Sequence, residues 1–292
     1  MDYNHRVNID LHVHSNASDG TLSPIELLTL ADRLKIGALA ITDHDTIDGS
    51  KSALAAGIPD QLHFITGVEI SASRPPSFPG PGSFHLLGYR FRTDDPVLNN
   101  ILRKLQGARE QRNPRIIERL AGLGFDIRLE DAQAETSDKS QLGRPHIASA
   151  MVTKGFAGSI NEAFDRYLGT GKPAYVDKYR ISCSSAIRVI SDAGGISVLA
   201  HPGLLNITDP HRLDRLIGEL KSMGLQGIEV YYPEHTRAQT AQFSKMAIRH
   251  KLLVTGGTDF HGAIKPDIQL GIGRGDFSVP YELFKQLESA SV

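Results

Sequence analysis

The chain has 292 residues, a formal net charge of −1, and 40% hydrophobic and 22% charged residues. This length suits one large α/β domain or a barrel with an insertion, and the ordinary composition excludes disordered, collagen-like and disulfide-rich proteins. A long nucleic acid held by its phosphates requires a basic surface, so the near-neutral charge favours a small substrate or a short oligonucleotide.

The first part of the sequence alternates short apolar runs with helical patterns. Strands are predicted at 7–11, 38–42, 63–68 and 84–91. The first helix is predicted to follow Ser23, because Ser23 and Glu26 can form a capping box and Pro24 suits the first helical position. The Pro- and Gly-rich segment 75–82 is predicted to be a loop between the third and fourth strands.

The pattern changes between residues 95 and 171, where strand signals vanish. Helices are predicted there at 97–120, 144–154 and 160–168. We therefore predict a helical insertion domain over residues 95–171, which would cap the substrate, and a main domain formed by residues 1–94 and 172–292.

The alternation resumes after the insertion. Strands are predicted at 196–200, 227–231 and 252–255, and helices at 213–223, 236–250 and 281–287. About seven strands with mostly helical crossovers imply a parallel sheet with right-handed connections. Both an open doubly wound sheet and a closed barrel satisfy this pattern.

Polar motifs at the strand ends decide between these two architectures. Nearly every predicted strand is followed at once by His, Asp or Glu. An open sheet brings only one or two strand ends together at its switch point, whereas a barrel brings all of them to one site. We therefore predict an α/β protein with a barrel.

Two motifs place ligand-type side chains two residues apart. His12 and His14 end the first strand, where residues at this spacing face the same way and can share a metal ion. Taken alone, the pair is equally compatible with two surface histidines. Asp259 and His261 repeat the spacing after the last strand, and Asp19 lies in a turn that can direct its carboxylate towards the first strand.

The second and third strands end in further candidates. His44 is flanked by Asp43 and Asp45, which we expect to hydrogen-bond to ligand imidazoles, although an ordinary acidic loop is the alternative. Glu69 follows the third strand and has a carboxylate that can bridge two cations.

The remaining candidates are His85, which taken alone suits a buried core position, and His201 after a later strand. The complete set has nine members: His12, His14, Asp19, His44, Glu69, His85, His201, Asp259 and His261. Nine ligands are too many for one tetrahedral ion, so we predict two or three divalent ions with positions open to water. Imidazole and carboxylate ligands without thiolate suit Mn, Zn or Fe.

The order and spacing of these motifs resemble those of the PHP (polymerase and histidinol phosphatase) family. The similar segments are DLHVHSNASDG, TDHD, GVE, HLLGY, AHP and TDFH, and they span about the whole chain. The resemblance implies a distorted (β/α)7 TIM-like barrel with a helical insertion, and a metal-dependent phosphoesterase. It also implies three metal sites: His12, His14, Glu69 and Asp259; Glu69, His85 and His201; and Asp19, His44 and His261.

The insertion resembles that of standalone members that act on nucleotides. This resemblance implies removal of the 3′-phosphate from nucleoside 3′,5′-bisphosphates, with 5′-to-3′ trimming of short RNA as a related activity. A metal-activated hydroxide would attack phosphorus in line.

The insertion also supplies candidates for substrate contacts. Arg144 in the segment GRPH is a planar donor suited to phosphate, and His146 could contact phosphate or protonate the leaving oxygen. The alternative is that Arg144 only opens a helix and His146 lies on the face of that helix. Asp45 is a further catalytic candidate, and Lys178 is a phosphate candidate for which a solvated lysine is the simpler interpretation.

Three other functions stay open at this point. Histidinol-phosphate phosphatase is an alternative within the same chemistry. Amidohydrolases share the H-x-H motif, but they often use a carbamylated lysine, and no lysine lies at a predicted strand end here. A non-catalytic PHP accessory module is disfavoured by the complete set of ligand residues.

Two features predict the cellular compartment. The single cysteine, Cys183, cannot form an intramolecular disulfide, which fits a reducing compartment. The N-terminal sequence has no signal-peptide pattern, and no apolar run approaches the roughly 20 residues of a membrane span. We therefore expect a cytoplasmic protein without a membrane partner.

Overall fold

A computed structural model describes residues 8–80, 84–135 and 142–291. In these residues the strands β1 to β8 are Ile9–Val13, Ala38–Ile41, His63–Ser73, Phe84–Tyr89, Ile181–Ser182, Ile196–Leu199, Gly227–Tyr231 and Leu253–Gly256. The helices α1 to α10 are Pro24–Arg33, Asp48–Ala56, Pro96–Gly122, Leu129–Gln133, Arg144–Thr153, Ile160–Ala163, Cys183–Asp192, Pro210–Ser222, Arg237–Arg249 and Tyr281–Ser289. Val7, Pro81 and Gly82, which belong to predicted elements, lie outside the described residues.

Seven of the strands form a nearly closed, barrel-shaped sheet. Their hydrogen-bonded order is β1-β2-β3-β4-β6-β7-β8, and the two-residue strand β5 pairs with β3. The segment after β8 closes the gap to β1, because Asp259 N donates to His12 O at 2.8 Å and His14 N donates to Phe260 O at 2.9 Å. The predicted barrel is therefore confirmed.

Strand β4 runs antiparallel to both of its neighbours, β3 and β6. The other pairs along the barrel are parallel. The prediction of a wholly parallel sheet is therefore wrong at this one strand. The described residues between β3 and β4 contain no helix, so the chain returns beside β3 in the opposite direction instead of crossing over.

Local capping explains where helices begin. Helix α1 starts as predicted, with the Ser23 side chain accepting from Glu26 N and the Glu26 side chain accepting from Ser23 N. Helices α2, α4 and α7 were not predicted. Helix α7 is capped by Ser182, whose hydroxyl accepts from Ser185 N at 3.1 Å.

Two apolar cores meet along the long helix α3. The N-terminal half of α3 packs Leu98 and Leu105 into the apolar core between the barrel sheet and the helices that surround it. Its C-terminal half packs Ile116 into a second core, built from the other helices of the insertion. Pro114 lies inside the helix between these two halves. The insertion thus has a core of its own, while the exact boundaries at residues 95 and 171 stay a prediction.

Cys183 is buried and free, with its Sγ 3.8 Å from Met223 Sδ. Among the described helices, none has the length and apolar character required to cross a lipid bilayer.

Candidate metal centre

The barrel brings all nine predicted ligand residues to one end of the sheet. Most of them follow the carboxyl ends of parallel strands, but His85 lies near the amino end of β4. Because β4 is antiparallel, its register places His85 opposite Ser71 of β3, at the same end as the other residues. His44 and His85 are partly exposed and the other seven residues are buried.

Glu69 lies at the middle of this group. Its Oε1 is 2.7 Å from His85 Nδ1 and 2.9 Å from His201 Nε2. Its Oε2 is 3.0 Å from His44 Nδ1 and 3.2 Å from His14 Nε2. The two oxygens of one carboxylate therefore face different imidazoles, which is compatible with the predicted role of Glu69 as a ligand shared by two cations.

A first set of ligand atoms belongs to His12, His14, Glu69 and Asp259, and these atoms lie within 4.8 Å of one another. Asp259 Oδ1 is 3.1 Å from His14 Nε2 and 3.5 Å from His12 Nε2. Although burial opposes ionisation, Lys265 and the neighbouring imidazoles hold the pKa of Asp259 well below its usual value. The carboxylate is therefore available as an anionic ligand.

A second set with the same spacing comprises His14, Asp19, His44 and His261, and a third comprises His44, Glu69 and His85. His201 adjoins the third set through Glu69. These sets agree with the three sites implied by the resemblance, except that His14 and His44 each lie in two sets. The nine side chains therefore form one continuous cluster.

The unpaired atoms of the cluster fit metal ions. The buried side-chain atoms without a hydrogen-bond partner in the described residues include His12 Nε2, His14 Nε2, Asp19 Oδ1 and His44 Nδ1. Buried polar atoms normally have hydrogen-bond partners, so several ligand-type atoms without one at the same place are compatible with a site for divalent cations. The mixture of imidazole and carboxylate suits Mn, Zn or Fe.

One further buried carboxylate orients two histidines of the cluster. Glu229, on β7, places Oε1 2.9 Å from His12 Nδ1, and its Oε2 accepts from His201 N at 2.6 Å. Such contacts fix the tautomer and the ring orientation of a ligand imidazole. The sequence analysis missed Glu229, for which the available signal is a carboxylate within the apolar strand GIEVY.

The two aspartates that flank His44 do not bond directly to ligand imidazoles, so that expectation is wrong. Asp43 accepts from the hydroxyls of Ser15 and Ser18, both at 2.6 Å. It reaches His14 only through Ser18, whose Oγ is 3.4 Å from His14 Nδ1. Burial raises the pKa of Asp43 to about 6.

Asp45 instead forms ion pairs with two cationic side chains. Its Oδ2 accepts from Arg109 Nη2 at 2.7 Å and from Lys178 Nζ at 2.8 Å, and Ser71 N donates to Oδ1 at 2.7 Å. Although burial opposes ionisation, Lys178 and Arg109 hold the pKa of Asp45 well below its usual value. The interpretation of Lys178 as a solvated lysine is also wrong, because its side chain is only 8% exposed.

A cavity of about 450 Å³ adjoins the cluster, a size typical of small-molecule sites. Its wall includes Glu69 and Asp259 on the side of the cluster. Six cationic side chains also line it: Arg109, Arg112, Arg144, Lys178, Arg180 and Lys265. Apolar surface is contributed by Phe164, Tyr175 and Ile264. The cavity can therefore hold an anionic molecule that also has an apolar part.

The structure brings Arg144 to the cavity wall but not His146. Arg144 Nη1 donates to Leu168 O at 3.0 Å, and the guanidinium packs against the rings of Phe164 and Tyr175. His146 is buried, and its Nδ1 accepts from Gly143 N at 2.9 Å, at the start of α5. Burial lowers the pKa of His146, which favours the neutral imidazole.

Comparisons with known proteins agree with this geometry. The PHP domain model matches residues 10–167. The chain is 33% identical over 254 residues to a 3′,5′-nucleoside bisphosphate phosphatase of Chromobacterium violaceum, covering 87% of each chain. It is 35% identical over 252 residues to a 5′-3′ exoribonuclease of Haemophilus influenzae, covering 86% of this chain and 89% of the relative.

A solved structure from Bifidobacterium adolescentis, described as a metal-dependent phosphoesterase, superimposes with a TM-score of 0.84. It is 30% identical in sequence, and the match covers 97% of this chain and 96% of that one.

Proposed function

Because the chain belongs to the PHP domain family, and is thus a hydrolase of phosphoric esters, we propose that it removes the 3′-phosphate from nucleoside 3′,5′-bisphosphates. Stepwise hydrolysis of short RNA from its 5′ end is a second activity that we propose, since one relative is an exoribonuclease. In both substrates, the bond that is hydrolysed is a phosphate ester at the 3′ oxygen of a nucleotide.

One observation carries this proposal. The cavity has the cluster around Glu69 on one side and six cationic side chains elsewhere on its wall. The cluster is suited to hydrolysis of a phosphate ester, while the cationic side chains are suited to bind the other negatively charged groups of the substrate. The apolar surface at Phe164, Tyr175 and Ile264 suits a nucleobase.

We propose that the nine residues of the cluster hold two or three divalent cations, with Glu69 as a bridging ligand. When bound, these ions would act as Lewis acids on the phosphoryl oxygens and lower the pKa of the attacking water. Glu229 keeps His12 in place through its Nδ1, and Tyr232 donates to Asp259 Oδ2 at 2.9 Å, which fixes that carboxylate.

The side chains of the insertion bind and orient the substrate. Arg144 donates to phosphoryl oxygens with its planar guanidinium, which packs against two aromatic rings. We assign His146 to the support of Arg144 rather than to proton transfer, because its Nδ1 holds the first turn of α5. Asp45 acts as a positioning residue that keeps Arg109 and Lys178 at the wall.

The proposal is tested by following phosphate release from adenosine 3′,5′-bisphosphate and from histidinol phosphate with added Mn²⁺. A short 5′-phosphorylated RNA, followed by release of mononucleotides, tests the second activity. We expect the bisphosphate to have the larger kcat/KM of the two phosphomonoesters. A preference for histidinol phosphate would contradict the proposed substrate, and hydrolysis of none of the three compounds would contradict the proposed function as a whole.

A further inference from the structure

One buried carboxylate outside the cluster, that of Asp10, joins three separate parts of the chain. Asp10 is fully buried and lies on β1, two residues before His12. Its Oδ1 accepts from Thr258 N at 2.9 Å and from His12 N at 3.3 Å. Its Oδ2 accepts from the Thr258 hydroxyl at 2.6 Å and from Gly271 N at 2.9 Å. Both oxygens are therefore engaged by donors of the protein itself.

The segment 258–271 begins and ends at this carboxylate. The Thr258 hydroxyl and the Gly271 amide donate to the same oxygen of Asp10, so the two ends of the segment lie together, as they do in an Ω-loop. Asn8 supports the second end, because its Nδ2 donates to Gly271 O at 2.7 Å. We call residues 258–271 the anchored loop.

The anchored loop carries side chains from both parts of the site. Asp259 and His261 belong to the cluster, while Ile264 and Lys265 line the cavity. Since Asp259 directly follows Thr258, the bonds to Asp10 fix the backbone one residue before a predicted metal ligand. Ligand side chains must be held to within about 0.5 Å of their productive positions, which requires such support from the residues around them.

Glycines allow the backbone to approach Asp10 so closely. A Cβ atom at Gly257 would lie 2.3 Å from His12 N and 2.8 Å from Asp10 Oδ1. Gly271 has a φ of +76°, and a Cβ atom there would lie 2.3 Å from Ile36 Cδ1. A larger residue at either position would therefore displace the chain from the carboxylate.

We propose that Asp10 is a positioning residue that anchors the loop 258–271 and thereby sets the places of Asp259 and His261 in the cluster. Strands β1 and β8 are the two ends of the hydrogen-bonded order, so no ladder between them holds the start of this loop. The Asp10 side chain supplies the missing bonds at this seam. The inference rests on the proposed cation site, but not on which phosphate ester is hydrolysed.

Asp10→Asn tests the inference, because an amide presents donors where the carboxylate accepts, and at least one of the four bonds is lost. Hydrogen exchange of the metal-free protein, followed by mass spectrometry, measures the loop directly. We expect amides of residues 258–271 to exchange at least about 10-fold faster than in the wild type, while helix α5 in the insertion exchanges at the wild-type rate. In calorimetry, the affinity for Mn²⁺ should fall by about 10–100-fold.

The matched control is Asp276→Asn, which makes the same change at an exposed position beyond the anchored loop. It should leave both the exchange of the loop and the affinity for Mn²⁺ unchanged. Thr258→Val removes one donor to Asp10 and should change both measurements in the same direction, by less. Thr258→Ser keeps the hydroxyl and should restore wild-type values, so this pair decides the question if Asp10→Asn does not fold.

Unchanged exchange of residues 258–271 in Asp10→Asn would overturn the inference. Equally faster exchange throughout the chain would also overturn it, because a general loss of stability does not single out one loop. Faster exchange of the loop with unchanged affinity for Mn²⁺ would contradict the link between the anchor and the ligands. A wild type that binds no Mn²⁺ contradicts the proposed cation site instead, and the exchange of the loop then still decides whether Asp10 anchors it.

Discussion

Oε1 of Glu229 lies 2.9 Å from Nδ1 of His12, and both side chains are fully buried. The second oxygen of Glu229 accepts from the backbone of His201. One carboxylate on β7 thus orients one ligand residue and fixes the backbone of another. The arrangement of the nine side chains therefore depends on a carboxylate that is not one of the nine.

This relationship predicts the effect of Glu229→Gln. The carboxylate accepts from two donors, whereas an amide offers one oxygen and places an NH2 group against the other donor. We expect the affinity for Mn²⁺ to fall by about 10–100-fold, measured by titrating metal-stripped protein in a calorimeter. Glu118→Gln changes an exposed residue in the same way and should bind Mn²⁺ like the wild type. Equal affinities in all three proteins would contradict the role of Glu229.

The position of His14 predicts a loss of activity without a loss of fold. Its Nε2 lies in the set with Asp259, and its Nδ1 lies 3.4 Å from Asp19 Oδ1 in another set. His14→Ala should therefore abolish phosphate release and lower the bound metal per chain, while circular dichroism shows a folded protein. His211→Ala, at an exposed position, serves as the control. A His14→Ala protein with normal turnover would show that the cluster is not the site of hydrolysis.

Asp45 predicts a large effect on stability. Asp45→Asn leaves the nearly buried cations of Arg109 and Lys178 without their counter-charge. Breaking a buried ion pair in this way typically costs about 3–5 kcal/mol in the free energy of unfolding, which urea denaturation of the metal-free protein can measure.

The control for this prediction is Asp267→Asn, which breaks an exposed pair with Arg274. It should cost less than about 1 kcal/mol. If the two variants had equal free energies of unfolding, the result would contradict a stabilising role for the ion pairs of Asp45.

The sequence predicts well which His, Asp and Glu side chains the fold brings together, because each placement depends on a local rule. His12 and His14 share a face by strand periodicity, and the alternation of strands with helices indicates a barrel whose strand ends converge. The sequence analysis missed the reversed direction of β4. This reversal places His85 at the same end of the barrel as the other eight residues of the cluster.

The cationic side chains that line the cavity could not be predicted in the same way. Asp45 and Lys178 are 133 positions apart, and their contact depends on how the insertion returns to the barrel. Arg112 looks like any other arginine of a charged helix until the fold shows that it is buried. Burial and ion pairing are properties of the tertiary structure. No periodicity in the sequence indicates which arginine and lysine side chains have a carboxylate partner.

The central claim is that nine side chains hold several cations around Glu69, and it is tested most directly by counting metal ions. Protein dialysed against Mn²⁺ and then freed of excess ion would be analysed by mass spectrometry, for the wild type and for Glu69→Gln. We predict two or three ions per wild-type chain, and fewer in the variant together with the loss of phosphate release. A wild type that binds no Mn²⁺ yet still hydrolyses the bisphosphate would contradict the account.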